Sequence, residues 1–570
     1  MEEQIFNWVE EYKNKFQKLH DDNVKNKFDE LLKKSNVDLH ENIKKNQNLE
    51  NTKNSYNSKK TIKTFLFVGF IFFGVIALLS ILGLVLKIIQ TKTSFAIAIT
   101  LVVICSILSI LCLVYMFIFK NTLATLDQKI QQLESELWND TEPLNALLEN
   151  NLPHDLFKKT FKFLKFDNYF SAEKLGYLKQ RFDFDFDHFH DIDTSTLKTY
   201  TGEIKGNPFI VLENLNHKLS SKTYTGKKIV SYRSNNKVIK ETLIATVTKP
   251  YPLFRSKKYI LFASDAAPNL SFFKPANYAH EKIATNSKSF YKKSRKEFDA
   301  FIKQNPNFTP FANDEFEFLF KAWNRNNGVE YRLLFTALAQ QSMSELIKDT
   351  TVGFGDDFSF DKHKKWNLVT ADHLRNIDFH LPKGFFHDYN IERAKENFIN
   401  HNNQHFKHLY FGFAPIFSIP LYQQNKTFEY IYDIKHNDNY SYFEHESIMN
   451  DLKDKIFNKS SKLVNKIIKT KFISSDNEYS DLIEATSYGY DWKIKVDYVP
   501  TMAGNGRIYN VPVKWDEFTP IVETATLEVQ ALELNEKNEN YQEKLQNLLK
   551  DPENFKKMLL LNRFLVKIIK

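Results

Sequence analysis

FLFVGFIFFGVIALLSILGLVL (residues 65–86) and SFAIAITLVVICSILSILCLVYMFIF (residues 94–119) decide the fold, because neither stretch contains a charged residue. A helix needs about 20 consecutive apolar residues to cross the hydrocarbon core of a bilayer. Both stretches are long enough, and only residues 87–93 separate them. A buried helical hairpin of a soluble domain is the alternative, but soluble cores rarely contain two uncharged stretches of this length. The sequence therefore predicts a transmembrane helical hairpin within residues 61–120.

Lysines are distributed unevenly around this predicted hairpin. Six of them lie in residues 44–63 and two more, Lys120 and Lys129, follow the second stretch, whereas the connecting loop contains Lys87 and Lys92. The positive-inside rule then places both termini in the cytoplasm of a multi-pass cell-membrane protein. The two cysteines of the chain, Cys105 and Cys112, lie two helical turns apart in the second stretch, so packed or lipid-facing thiols are expected.

The composition argues against several classes of protein. Glycine is scarce, at 15 of 570 residues, and neither GxxxxGK[ST] nor GxGxxG occurs, so a glycine-rich nucleotide site is not expected. Two cysteines cannot form a disulfide framework. The formal net charge is +9, but the lysines are spread along the chain and arginine, which favours bidentate phosphate contacts, is rare. We expect no cofactor and no nucleic acid; the expected partners are the lipid bilayer and a protein.

Heptad patterns flank the predicted hairpin on both sides. The first consists of Ile5, Val9, Tyr12, Phe16 and Leu19, and the second of Leu123, Leu126, Ile130, Leu133 and Leu137. Apolar residues at this spacing form one face of a helix. Two interpretations stay open: a cytoplasmic coiled-coil stalk, or seams that pack on the globular part or self-associate with another copy.

Beyond residue 150 the pattern predicts an α+β cytoplasmic body with mostly antiparallel strands. Strands are predicted at Glu203–Glu213, Lys227–Arg233, Val238–Thr248, Tyr259–Ala263, Trp492–Val499 and Ile508–Val513. Turns are predicted at Asn235-Asn236 and Gly504–Gly506, and helices at Ser289–Lys303 and Tyr331–Lys348. The predicted organisation is an N-terminal helical segment (1–60), the hairpin (61–120), a juxtamembrane heptad helix (121–150), an α+β domain (151–420), a second α+β region with a C-terminal β-hairpin (421–525) and C-terminal helices (526–570).

The C-terminal run FKKMLLLNRFLVKIIK (residues 555–570) follows Asp551-Pro552-Glu553, which is typical of a helix start. Its apolar surface is interspersed with basic residues. It is predicted to be a helix that either lies on the inner leaflet or packs on the body.

Several motifs of the body match a known family. They are TGEIKGNPFIVLE (201–213), LFRSKKYILFASD (253–265), NDEFE (313–317), VEYRLLFTALAQQSMSELIKD (329–349) and FDKHKKWNLV (360–369). With the two spans before them, they resemble the bacterial two-pass membrane-protein family known as domain of unknown function 3137, over about residues 60–420. The resemblance implies a membrane-anchored cytoplasmic domain and assigns no site residues.

The segment FDFDFDHFHDID (residues 182–193) is a candidate divalent-cation site. Its possible ligands are Asp183, Asp185, Asp187, His188 and His190. An EF-hand loop is excluded, because His188 stands where that loop needs Gly and Thr194 where it needs Glu. The alternative is a half-buried edge strand that presents an acidic face to solvent.

His401, His405 and His408 form a second candidate metal site, since their spacing places them on one face of a helix. The metalloprotease motif HExxH is absent, because Asn402 stands where the motif needs Glu. The alternative is an ordinary polar helix surface. Either metal site would suit a metal-dependent hydrolase or a divalent-cation-binding domain.

TTVGFGD (residues 350–356) resembles the selectivity filter of potassium channels. A filter needs a pore helix and flanking spans, but the nearest apolar stretch ends at Phe119 and a charged segment follows Asp356. An ordinary glycine-containing turn is the favoured interpretation, and a channel subunit the third functional hypothesis. The leading hypothesis is non-enzymatic: a two-pass membrane protein whose cytoplasmic body serves protein–protein interaction or assembly.

Overall fold

A computed structural model describes residues 7–85, 92–186, 189–234, 237–424, 438–457, 463–475, 480–531, 558–561 and 564–569. The chain divides into two compact units. Unit 1 comprises Met1–Asn23, Pro153–Pro382 and Asn402–Lys570, and unit 2 comprises Val24–Leu152 and Lys383–His401.

The helices of the described chain are α1 (Trp8–Glu11), α2 (Gln17–Ser35), α3 (Leu39–Val85), α4 (Lys92–Asn145), α5 (Leu152–Thr160), α6 (Ala172–Phe182), α7 (Ala279–Gln304), α8 (Asp314–Phe320), α9 (Gly328–Leu334), α10 (Ala337–Lys348), α11 (Ile391–Phe417) and α12 (Tyr442–Ile456). A π-helical turn (Tyr12–Phe16) joins α1 to α2, and 3₁₀ turns occur at His373–Asn376 and Pro420–Gln423.

The strands are β1 (Lys165–Phe166), β2 (Thr194–Ile204), β3 (Asn207–Ser234), β4 (Lys237–Ala263), β5 (Ser271–Lys274), β6 (Phe358–His363), β7 (Trp366–Ala371), β8 (Ile467–Ser475), β9 (Ser480–Met502), β10 (Ile508–Ala531), β11 (Met558–Leu561) and β12 (Phe564–Ile568). They form an antiparallel sheet of order β1-β2-β3-β4-β7-β6-β5 and a second of order β11-β12-β10-β9-β8. The predicted α+β class, with two long apolar helices ahead of a body of helices and antiparallel sheets, is confirmed.

In unit 2, α3 and α4 pair side by side. Their antiparallel register is visible in two ion pairs, Lys53–Glu134 at 2.6 Å and Lys45–Asp140 at 2.7 Å. Leu137, the last residue of the predicted second seam, is fully buried. The second seam therefore belongs to a helical pair, but its partner is the early part of α3 and not the N-terminal seam.

The N-terminal seam packs within unit 1. Tyr12 and Phe16 are buried, and their rings lie 5.1 Å and 5.6 Å from that of Tyr410. Ile5 lies outside the described residues, and Leu19 is exposed. Of the two interpretations, packing on the globular part is the one seen for this seam. The π-helical turn at Tyr12–Phe16 shifts the helical phase beyond it, so a strict heptad does not continue.

Both faces of the seven-stranded sheet are buried near the start of β3. Phe209 and Val211 face a cluster that includes Phe413 of α11, with the rings of Phe209 and Phe413 5.2 Å apart. Ile210 and Leu212 face the opposite side. A strand buried on both faces appears in the sequence as a continuous apolar run, and PFIVL is such a run.

Phenylalanines of the segment FDFDFDHFHDID cover that opposite side. Phe184 and Phe186 are buried with their rings 4.3 Å apart, and Phe189 joins the same cluster. The predicted alternation of buried Phe and outward Asp is present, but the predicted edge strand is wrong. Residues 183–186 form no strand, because the rings fill a hydrophobic face and the backbone does not pair with a neighbour.

Helix α12 packs against both sheets of unit 1. Ile448, Met449 and Leu452 join Ile468, Leu527 and Val529 of the second sheet in one buried cluster. On the side of β2, Asn450 donates hydrogen bonds to the Ser195 hydroxyl at 2.8 Å and to the Thr196 carbonyl at 2.9 Å. This helix therefore fixes the second sheet to the first.

Three element predictions need correction. The predicted strand Glu203–Glu213 is divided by a turn at Lys205-Gly206, where both residues have positive φ. The predicted helix Tyr331–Lys348 is two helices, and the Thr336 hydroxyl caps the second by accepting from the Ala339 amide. The C-terminal helix is wrong at residues 558–561 and 564–568, which form β11 and β12, because β12 pairs with β10 from Leu527↔Ile568 to Ala531↔Phe564.

Candidate functional site

Helices α3 and α4 of unit 2 each contain a stretch that is long and apolar enough to cross a membrane. These stretches lie within Leu39–Leu82 and Ile99–Asn145, and only 6% of either apolar window is buried, unlike the core helix of a soluble protein. Ser109 of α4 donates a hydrogen bond to the Phe70 carbonyl at 3.4 Å, and Cys112 lies against Gly69. Small residues at such contacts allow helix backbones to approach closely. Most of the connecting loop, residues 86–91, lies outside the described chain.

Two long β-ribbons are the most distinctive feature of unit 1. The first ribbon consists of residues 217–254 of β3 and β4, where these strands pair only with each other; the second ribbon consists of residues 489–521 of β9 and β10. Globular strands usually have 3–10 residues, whereas β3 has 28. At about 3.3 Å per residue, the first ribbon extends roughly 60 Å.

The ribbons pack against each other through their inner faces. Val230 and Leu243 of the first ribbon share a buried cluster with Val511 and Val513 of the second. Gly226 is required at the crossing, because a side chain there would collide with the backbone of Pro512. At this interface the ribbons therefore touch backbone to backbone.

Charged contacts extend the same interface. Lys249 pairs with Asp497 at 2.7 Å, and its ammonium lies 4.3 Å from the ring centroid of Trp515. At the tip of the second ribbon, the Gly504 amide donates to Glu241 at 2.9 Å, and Tyr232 donates to the same carboxylate at 3.0 Å. The predicted turn at Gly504–Gly506 is confirmed, and it docks on the first ribbon.

The outer face of the second ribbon carries a row of exposed apolar side chains. Ile494, Val496, Tyr498 and Met502 of β9 lie on this face, and Ile508 of β10 pairs with Met502. Tyr498, Met502 and Ile508 are each 67% exposed. The predicted alternation of Trp492–Val499 is present, but its apolar side faces outward and not into the core. We call these five residues the apolar row. Contiguous exposed apolar surface of this kind is typical of interaction sites.

The predicted acidic site is only partly described. Asp183 ends α6 in a left-handed conformation and lies 3.5 Å from Lys364 at the surface. Asp185 is part of the irregular segment that follows, and Asp187 and His188 lie outside the described residues. His190 is turned away towards α12, with Nδ1 3.2 Å from Glu446. Cation binding by this set stays a prediction.

Around His190 lies a buried charge cluster that the sequence analysis missed. Glu446 is fully buried, accepts from the Thr196 amide at 2.8 Å and pairs with Lys469 at 2.9 Å. Burial raises the pKa of Glu446. Burial, together with Lys469 and Lys179, lowers the pKa of His190 to about 3. The polar residues of α12 resemble an ordinary solvent-facing helix in the sequence, so no local signal marks them as buried.

The three histidines of the second predicted metal site lie on α11 but face aromatic rings. The ring of His401 lies 4.7 Å from that of Phe385, His405 lies 5.7 Å from Phe379, and His408 lies 4.7 Å from Phe354. His405 and His408 are buried, so the polar-surface alternative is wrong for them. Burial lowers the pKa of His408 to about 4. Within the described chain, no group of three His, Cys, Asp or Glu side chains could hold a metal ion.

TTVGFGD forms a turn between α10 and β6, as the favoured interpretation predicted. The Asp349 carboxylate accepts hydrogen bonds from the backbone amides of Thr351, Val352 and Gly353. Gly355 adopts φ +60°. These amides therefore belong to a closed turn, which is ordinary loop chemistry.

A polar cleft of about 520 Å³ lies beside this turn. Its walls include Lys258, Tyr278, Asp357, Asp372 and Arg375. Asp357 accepts from Nδ1 of His373 at 2.8 Å, and Nε2 of His373 lies 3.1 Å from the His408 carbonyl. Both ring nitrogens are thus engaged, so this histidine would have to break a contact before exchanging a proton with a ligand. The arrangement is suited to holding the 3₁₀ turn in place.

Comparison with family models, with curated proteins and with solved structures finds no match to this chain. The family resemblance over residues 60–420 therefore stays a prediction. In the structure its motif residues have structural roles: Asn313 caps α8 and also donates to the Gln340 side chain at 3.2 Å.

Proposed function

We propose that the chain is a two-pass cell-membrane protein with both termini in the cytoplasm, where its α+β body serves protein–protein interaction or assembly without catalysis. The apolar row carries this proposal. Covering a side chain such as Tyr498 with a partner lowers the free energy, because apolar surface is removed from water. Soluble surfaces seldom expose such residues side by side. The family resemblance and the lysine distribution support the same arrangement in the membrane.

Labelling with a membrane-impermeant maleimide tests the orientation. In a background of Cys105→Ala and Cys112→Ala, we expect Thr91→Cys to react in right-side-out vesicles and Asn57→Cys only in inside-out vesicles, since lysine-rich flanks stay in the cytoplasm. Asn57 precedes the first apolar stretch, and Thr91 follows it in the connecting loop. The reverse pattern would place the body outside the cell and refute the proposed orientation.

Photo-crosslinking in intact membranes tests the assembly. With benzoylphenylalanine at Tyr498 we expect a covalent adduct with another protein or a second copy. Adding Met502→Lys should reduce its yield about tenfold, because an ammonium would be buried at the contact. The same probe at Tyr509, which packs on the inner cluster, is the matched control and should give no intermolecular adduct. Absence of any adduct at Tyr498, with monomer alone recovered at native expression, would contradict the proposal.

A further inference from the structure

The outer face of the first ribbon differs in chemistry from every other face of the two ribbons. Cross-strand pairs such as Lys227↔Ile244 and Ile229↔Thr242 define it, since directly paired residues share a face. Val230 and Leu243, one position along each strand, point inward to the buried cluster. From Leu219 to Pro252, outward positions are therefore the odd residues of β3 and the even residues of β4.

Charges on this outer face have one sign. Lys227, Arg233 and Lys240 are exposed there, and the outward positions described between Leu219 and Pro252 include no Asp or Glu. The carboxylate of Glu241 points inward, where it binds Tyr232 and Gly504. No ion pair joins the three outward cations to a carboxylate in the described chain, in contrast to Lys249 on the inner face. The face is therefore electropositive and unneutralised.

Apolar side chains lie between these cations. Ile229 is 70% exposed, Val238 65% and Ile244 54%. From Leu219 to Pro252 the other outward positions are mostly Thr and Ser, and the described ones include no aromatic residue. His217 and Phe254, at the base of the ribbon, contact Tyr490 of the second ribbon and do not belong to this face. Protein interfaces are enriched in Tyr, Trp and Phe, and single-stranded nucleic acids stack on aromatic rings. An apolar and basic surface without aromatics suits neither, but it suits the boundary between anionic headgroups and acyl chains.

We propose that the outer face of the first ribbon binds an anionic lipid surface, with Lys227, Arg233 and Lys240 facing phosphates and Ile229, Val238 and Ile244 entering the headgroup layer. This inference rests on the proposed function in one respect: a cytoplasmic body would meet the anionic inner leaflet. The free edge of β4 fits this role, because Pro250 and Pro252 lack an amide donor and disfavour pairing with a further strand there.

The test uses the full chain in phosphatidylcholine vesicles with or without 30% phosphatidylglycerol. An environment-sensitive fluorophore is attached at Ile229→Cys in the Cys105→Ala, Cys112→Ala background, and lipids with nitroxide headgroups serve as quenchers. We expect strong quenching only in the anionic vesicles and its loss in 0.5 M salt. The fluorophore at Ile494→Cys, in the apolar row on the opposite outer face, is the matched control and should not be quenched.

Replacing all three cations by Gln should lower the ratio of docked to free ribbon by about 100-fold, since each basic residue near anionic lipid contributes roughly fivefold. Arg233→Lys should keep the quenching. Equal quenching in neutral vesicles, or no quenching in anionic vesicles, would overturn the proposal. The proposal would also be overturned if the triple variant lost its quenching only when polynucleotide was present. Alkaline extraction of the same vesicles tests separately whether the two spans anchor the chain in the bilayer. Loss of this anchoring would refute the proposed function and not this inference.

Discussion

Glu317→Gln is expected to lower the free energy of unfolding of the body by about 3–5 kcal/mol, because it leaves a buried guanidinium without its counter-charge. Glu317 and Arg325 are 0% and 3% exposed, and they form a two-pronged contact at 2.7 Å and 3.0 Å. Arg325 is also held between the rings of Phe308 and Tyr331, whose centroids lie 4.1 Å and 4.2 Å from it. The guanidinium cannot reach water without opening this aromatic cluster.

Urea unfolding of the detergent-solubilised chain, followed by tryptophan fluorescence, measures the change. Arg295→Met is the matched control, since Arg295 and Asp314 pair at 2.6 Å but both side chains are exposed; its cost should be below about 1 kcal/mol. Combining Glu317→Leu with Arg325→Met should cost less than the sum of the two single changes, because no buried charge is left unpaired. If Glu317→Gln lowered the free energy of unfolding no more than the control does, the ion pair would not stabilise this part of the body.

Features with a strong local signal were predictable. The two uncharged stretches, the Gly504–Gly506 turn and the buried strand Tyr259–Ala263 are each encoded by a few adjacent residues, and each is found where expected. The turn at TTVGFGD is also local, since the Asp349 carboxylate accepts hydrogen bonds from backbone amides of residues that follow it. Such features depend on neighbours in the chain, which a sequence displays directly.

Features that depend on distant partners were not predictable. The run FKKMLLLNRFLVKIIK consists largely of good helix formers, yet residues 564–568 pair with β10, so tertiary contact overrides propensity. The ribbons exceed the predicted strands because each supports the other, as the contact of Gly226 with Pro512 shows. The candidate site was missed for the same reason: the apolar row has the alternation of an ordinary half-buried strand, and only its partners decide which side is covered.

His20 is expected to make the body sensitive to acid. It is 1% exposed, with Nδ1 2.9 Å from the Thr160 hydroxyl and Nε2 3.1 Å from the Asn402 carbonyl, and its ring stacks on Phe406 at 4.1 Å. Burial lowers the pKa of His20 from 6.5 to about 4. The unfolded chain therefore takes up a proton at this residue below pH 6.5, whereas the folded chain does so only near pH 4.

Because the unfolded state binds more protons in that window, stability falls as the pH drops from 6.5 to about 4, at about 1.4 kcal/mol per pH unit and about 3 kcal/mol in all. His20→Gln cannot titrate. It should be less stable than the unsubstituted chain at pH 7, where two hydrogen bonds are disturbed, and the difference should shrink by about 3 kcal/mol at pH 4. Urea midpoints across this range measure it, with His40→Gln at an exposed position of α3 as the control for charge. If the plots of urea midpoint against pH ran parallel for His20→Gln and the unsubstituted chain, His20 would be excluded as a source of the acid sensitivity. Its ring would then protonate inside the fold as readily as in the unfolded chain.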